Sequence, residues 1–195
     1  MNESRRFSHA IAEGDGISVV AAVEDADAAR AAEAQRAEAL VVHGDPARLR
    51  EATRLPILWR ASPTIDRAAA IADAVTLTLP EDEDDDHEPA QRRHGEALAA
   101  GLDCAVEVRT EEELERALEM LDPEIFLLAP PHDDEERLEA VLELLAAVPA
   151  GKLAIADLTV TTEHEVHELE RAGVDAVIVH AADVSPLAGD APPEV

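Results

Sequence analysis

Six side chains with chemical potential stand at the ends of short apolar runs. Glu24 follows Ile17–Val23, His43 closes Ala39–His43, and Arg60 follows Pro56–Trp59. Glu107 lies near the end of Leu102–Val108, Asp157 near the end of Leu153–Leu158, and His180 closes Ala176–His180. Carboxylates and imidazoles can trade protons near neutral pH, and a fixed guanidinium can stabilise negative charge. His beside carboxylate can also hold a divalent cation, and His43-Gly44-Asp45 is locally suggestive. No spacing here is diagnostic of a metal site, so no metal and no cofactor is assigned. The plainer alternative is that His43 and His180 finish their strands while the acids belong to a charged surface.

Other candidates carry less. His164 and His167 lie three apart among Glu163, Glu165 and Glu168, the pattern of a solvated helix face. Trp59 reads as core, or as the floor of a pocket. Arg92-Arg93-His94 is a small basic spot expected to pair with neighbouring carboxylates. Gly14-Asp15-Gly16 is a turn, and no phosphate-cradling glycine loop occurs. The single cysteine, Cys104, sits inside an apolar run with no nearby His, which favours a buried inert thiol over a nucleophile. No serine sits in a nucleophile elbow.

The elements that must position these groups are legible. The six runs already named are joined by Ala74–Leu79 and Ile125–Ala129, making eight. Several are continuously apolar, as parallel strands buried on both faces are. Asp27–Glu38 is Ala-rich and helical. Asp45–Arg54 is a short helix with Asp45 as cap and Pro46 in its first turn. Glu111–Leu121 places Leu114, Ala117, Leu118 and Leu121 on one face, with Thr110 as N-cap and Glu113 closing a capping box. Leu138, Val141, Leu142 and Leu145 form another stripe, and Thr162–Ala172 ends at Gly173 as C-cap. Alternating strand and helix means a parallel α/β fold. An open sheet would normally show a Gly-rich turn after its first strand, and Val23–Asp27 has none.

Composition bounds the setting. The chain has 195 residues, enough for one domain, with 44 Asp and Glu against 16 Lys and Arg and a formal net charge of -28. That much like charge opposes compaction at ordinary ionic strength, and molar salt screens it. Lys152 is the only lysine and aromatics make up 2%. Together these predict adaptation to a salty cytosol. The charge argues against nucleic acid and anionic membranes as partners, leaving a small molecule or another protein. One cysteine forbids an intrachain disulfide, no run approaches membrane-spanning length, and Met1–His9 lacks an apolar signal core. A cytoplasmic location is therefore expected.

Several segments resemble indole-3-glycerol phosphate synthase. Phe7–Val20 looks like the approach to that family's first strand, and Leu55-Pro56-Ile57-Leu58 is similar to its third. Val106-Glu107-Val108 with Glu111–Leu118 resembles its fifth strand and helix, and Ala172-Gly173-Val174-Asp175-Ala176 the entry to its eighth strand. The resemblance implies a compact (β/α)8 TIM barrel rather than an open sheet. Its boundaries are a short N-terminal segment over 1–15, a barrel over 16–182 and a loose tail over 183–195, with the eighth helix truncated or missing.

The resemblance also implies a reaction: ring closure of a carboxyphenylamino-deoxyribulose phosphate, with loss of carbon dioxide and water. Against that pattern Glu107 matches the catalytic Glu, while Arg60 stands where a general-acid Lys belongs. Arg stays protonated and is a poor proton donor. Ala22 and Glu24 replace the first strand's carboxylate and Lys, and Ala129 the sixth strand's Asn. Asp157-Leu158-Thr159 replaces Glu-Ser-Gly, and His180-Ala181 replaces the eighth strand's Gly-Ser. The expectation is a relic of the family without the parent lyase activity, serving in binding, regulation or assembly. The alternatives are an active lyase using Glu107 and Arg60, or a new activity, metal-dependent in one version, at the barrel mouth.

Overall fold

The structure is a computed structural model describing residues 5–13, 16–80, 87–131, 134–158 and 162–180. Eight parallel strands close into a barrel in chain order: β1 (Ser18–Ala22), β2 (Ala39–Val42), β3 (Ile57–Trp59), β4 (Ala74–Thr78), β5 (Asp103–Val108), β6 (Ile125–Leu128), β7 (Leu153–Asp157) and β8 (Ala176–Val179). The β1–β8 pairing, with Val19 beside Val177 and Val20 beside Ile178, closes it. Helix α1 (Arg6–Ala12) precedes β1. The helices between strands are α2 (Ala26–Ala34), α3 (Ala47–Ala52), α4 (Ile65–Ile71), α5 (Glu88–Ala99), α6 (Glu111–Met120), α7 (Asp134–Leu145) and α8 (Glu163–Ala172). The closed (β/α)8 barrel expected from the resemblance is what the chain forms. The expectation of a missing eighth helix and a loose tail falls on 181–195, outside the described residues.

Two apolar layers follow from the strand pleat. Side chains such as Val20, Val41, Leu58, Ile155 and Ile178 fill the barrel interior, while alternate residues such as Val19, Trp59, Val75 and Val177 pack outward under the helices. Interior alanines at 39, 74, 105 and 176 leave room that Phe7 and Ile11 of α1 occupy. The N-terminal segment thus plugs the barrel floor, and Phe7 is wholly buried.

Carboxylates finish that floor. Glu38 Oε2 accepts the Val19 N–H at 2.6 Å, Asp73 Oδ2 that of Ile57 at 3.0 Å, and Asp175 Oδ2 that of Ala154 at 2.7 Å. Each acid stands just before one strand and satisfies an N–H at the start of the preceding strand. Buried Asp103 accepts the N–H and hydroxyl of Ser8 at 2.9 and 3.0 Å, anchoring α1. Part of the acidic excess is therefore structural.

Local departures have local causes. Helix α2 stops at Ala34 rather than at Glu38, because Arg36 turns left-handed (φ 70°) and the Ala37 N–H returns to the Ala32 carbonyl. Glu38 is thereby freed to reach Val19. At α6, Thr110 Oγ1 accepts the Glu113 N–H, but the Glu113 carboxylate accepts from Arg109 N–H (2.7 Å), one residue before the expected position. A reciprocal capping box forms at α8 instead, between Thr162 and Glu165. Gly173 ends α8 at φ 96°, as read. Helix α5 left no sequence signal because only Ala97 on it is buried.

Candidate functional site

Strand alternation decides which side chains face the barrel mouth. Leu58 points inward, so Arg60 two residues on does too. The same holds for Ala105 and Glu107, for Ile155 and Asp157, and for Ile178 and His180. These four meet. Arg60 Nη2 donates to Glu107 Oε2 at 2.6 Å and Nη1 to Asp157 Oδ2 at 2.5 Å. His180 Nε2 lies 3.1 Å from Asp157 Oδ1, and Arg109 Nη2 lies 3.3 Å from Glu107 Oε1. Arg60, Glu107 and Asp157 are 14%, 10% and 13% exposed, while His180 and Arg109 open to solvent. The result is a chain of charge running from the eighth strand through the seventh and third to the fifth.

The electrostatics lock this chain. Burial alone would lower the Arg60 pKa, but Asp157 and Glu107 more than offset it, and the net shift is upward. Burial would likewise raise the Asp157 carboxyl. The His180 hydrogen bond and the Arg60 charge outweigh that and hold it below its ordinary value. An ionised Asp157 can only accept, so His180 donates to it through Nε2. Two arginines face two carboxylates, and Arg60 holds both acids at once.

Glu24 and His43 stand elsewhere on the rim. Both are exposed, and with His180 they line a cavity of about 450 Å³ whose other walls include Ala22, Val23, Asp25, Ala28, Ala32 and Gln35. Asp45 is turned away from His43-Gly44, since it accepts the Ala47 N–H and pairs with Arg67. Among the described residues no group of three or more His, Cys, Asp or Glu is placed to hold a metal ion. His164 and His167 pair with Glu168 and Glu170 on the exposed face of α8.

Trp59 belongs to the outer layer, under the Arg67 guanidinium at 5.9 Å, so it is core and not a pocket floor. Leu158 is buried in that same layer, and Ala129 brings no polar group to the mouth. Thr159 and Ala181 lie outside the described residues, as does Gly14-Asp15. Arg109 was missed from the sequence, although its position two residues after Glu107 on one strand face carried the signal. Thr76 was missed as well. It is buried on β4, and its hydroxyl has no partner among the described residues.

The fold and site together define a (β/α)8 barrel whose mouth is spanned by a partly buried guanidinium–carboxylate network. By sequence, that barrel resembles indole-3-glycerol phosphate synthases. It is 30% identical over 139 residues to the enzyme of Geobacillus thermodenitrificans, covering 67% of this chain and 52% of that one. It is 38% identical over 96 residues to that of Variovorax paradoxus, covering 48% and 36%. It is 33% identical over 86 residues to that of Geobacillus sp. strain WCH70, covering 43% and 33%. The matches thus span only a third to a half of these relatives. No protein-family model matches the chain. Among solved structures it is similar to the N-acetylmannosamine-6-phosphate 2-epimerase of Clostridium perfringens, with TM-score 0.69 at 18% identity over 87% of this chain and 88% of that one. A structure described as native KDPGal gives TM-score 0.65 at 12% identity over 87% and 91%. At such identities these two show the fold alone. Among the described residues no helix is long and apolar enough to cross a membrane.

Proposed function

We propose that this barrel has lost the ring-closing lyase chemistry of the synthases it resembles and serves as a small-molecule-binding or regulatory protein in a high-salt cytosol. The observation that carries this reading is Arg60 held between Glu107 and Asp157 at 2.6 and 2.5 Å. Where the resemblance calls for a lysine general acid, the chain has a cation that does not release its proton near neutrality. That cation also occupies the one carboxylate retained from the catalytic set. Loss of a general acid costs about a hundredfold or more in rate. Phosphate anchoring is weakened separately. In barrels of this kind glycine-lined N–H groups after strands seven and eight hold phosphate. Here Leu158 is buried outward and His180 fills the eighth-strand position.

The test is complementation of a tryptophan auxotroph that lacks its own synthase, in a host that maintains molar salt inside the cell. The proposal expects no growth without tryptophan, while a genuine salt-adapted synthase restores it. Growth supported by this chain would favour the active-lyase reading, with Glu107 as acid–base group.

A further inference from the structure

We infer that the barrel mouth takes an uncharged, polyhydroxylated ligand of sugar or polyol type that carries no phosphate, with the Thr76 hydroxyl as one of its contacts, a reading that rests on the parent chemistry being absent. Thr76 is 7% exposed on β4, and its hydroxyl has no hydrogen-bond partner among the described residues. A buried hydroxyl costs stability unless something answers it. Ala74 points into the barrel, so Thr76 two residues on does too. The pairing of Trp59 with Val75 sets Thr76 beside Arg60. The pairing of Thr78 with Glu107 sets a second, exposed hydroxyl beside the retained carboxylate. Ala22 and Ala129, at the mouth ends of β1 and β6, leave room beside the network.

The network selects the charge of the ligand. Arg60 meets Glu107 and Asp157 at 2.6 and 2.5 Å, and Arg109 meets Glu107 at 3.3 Å. A phosphate or carboxylate brought to either arginine therefore meets a carboxylate already in contact with it. An ammonium brought to either acid meets a guanidinium in the same way. Like charges set side by side in so closed a site are unfavourable. A hydroxyl brings no charge. It donates through its hydrogen and accepts through its oxygen, so it can bridge a carboxylate oxygen and a guanidinium N–H without breaking the pair. Adjacent hydroxyls on one carbon chain repeat that match along alternating carboxylates and guanidiniums, and one at the deep end answers Thr76. A site that hydrogen-bonds a hydroxyl also discriminates strongly against ligands that lack it.

The experiment titrates the full chain in molar potassium chloride with a panel of pentoses, hexoses and the corresponding polyols, each sugar beside its phosphate ester. Binding and its location are read from amide chemical shifts. At least one unphosphorylated member is expected to bind at millimolar concentration, with shifts centred on Arg60, Thr76, Thr78 and Glu107. Its phosphate ester should bind about tenfold more weakly. Thr76→Val should weaken the sugar about tenfold while leaving the thermal midpoint no lower than the parent's. Thr76→Ser keeps the hydroxyl and should bind as the parent does. The inference is overturned if no unphosphorylated member binds, if the shifts centre elsewhere, or if the phosphate esters bind as tightly. Unchanged binding by Thr76→Val also overturns it, since water alone would then answer the hydroxyl. Synthase turnover is measured separately as product formation. Turnover would overturn the reading beneath this one, whereas tight phosphate-ester binding without turnover would overturn this one alone.

Discussion

Arg60 and Asp157 are separated by 97 residues of sequence, yet Arg60 Nη1 lies 2.5 Å from Asp157 Oδ2 inside the barrel mouth. The contact exists because β3 and β7 stand across a closed barrel and both side chains point inward from strand ends. A long guanidinium spans the opening where a shorter cation would leave it partly empty.

Removing Arg60 alone strands two carboxylates that are nearly buried. Arg60→Met is expected to destabilise the protein by about 3 kcal/mol, the low end for breaking a buried ion pair because the site opens toward solvent. Adding Glu107→Gln and Asp157→Asn to Arg60→Met should recover most of that loss, since no uncompensated charge remains. Denaturant midpoints at fixed salt measure both. A single variant as stable as the parent would show that the network contributes nothing.

Acid should first stabilise and then destabilise the fold. Burial raises the carboxyls of Glu38, Asp103 and Asp175 above their ordinary values. The folded state therefore binds those protons more tightly than the unfolded chain. Stability rises as pH falls through their raised values, and the gain is complete below the ordinary carboxylate value of about 4. Asp157 has the opposite sign, because its carboxyl is held low. Its contribution is present above the ordinary value and is lost as pH falls through the depressed one. Thermal melts from neutrality downward should show a maximum in mildly acidic buffer. Glu38→Gln should flatten the rise and Asp157→Asn the acid loss. A steady decline from neutrality would contradict the assignment.

Much of this architecture is legible in the sequence, because parallel strands buried on both faces leave continuous apolar runs. All eight runs became strands, and their polar ends marked Arg60, Glu107, Asp157 and His180 as mouth residues. Which of them touch is not legible, since contacts across a barrel depend on closure and not on spacing. Helix α5 was invisible because its buried stripe is a single alanine. The role of α1 was hidden too. Phe7 and Ile11 are the only bulky apolar residues of α1, and only the small interior alanines show why they are needed.

Cys104 is expected to be unreactive in the folded protein. It is 4% exposed in the outer layer, and burial pushes its thiol up to about 12. An aromatic disulfide reagent at neutral pH should label it only after unfolding, giving one equivalent in denaturant and none before. Prompt labelling of the native protein would mean that the outer layer opens at β5.

The net charge of -28 predicts dependence on salt. In molar salt the screening length shrinks to about 3 Å and most repulsion between exposed acids disappears. Circular dichroism along a dialysis series should show loss of helix in dilute buffer and recovery on return to molar salt. A cooperative melt at unchanged temperature in dilute buffer would remove the case for salt adaptation.

The most direct test of the account is a turnover assay in molar salt. It uses carboxyphenylamino-deoxyribulose phosphate and protein purified from a host lacking its own synthase. With Arg60 holding both Glu107 and Asp157, no indole-glycerol phosphate should form, and Arg60→Lys alone should not restore turnover because phosphate anchoring would still be weak. Product formation that disappears in Glu107→Gln would contradict the account, and Glu107 would then be a working catalyst.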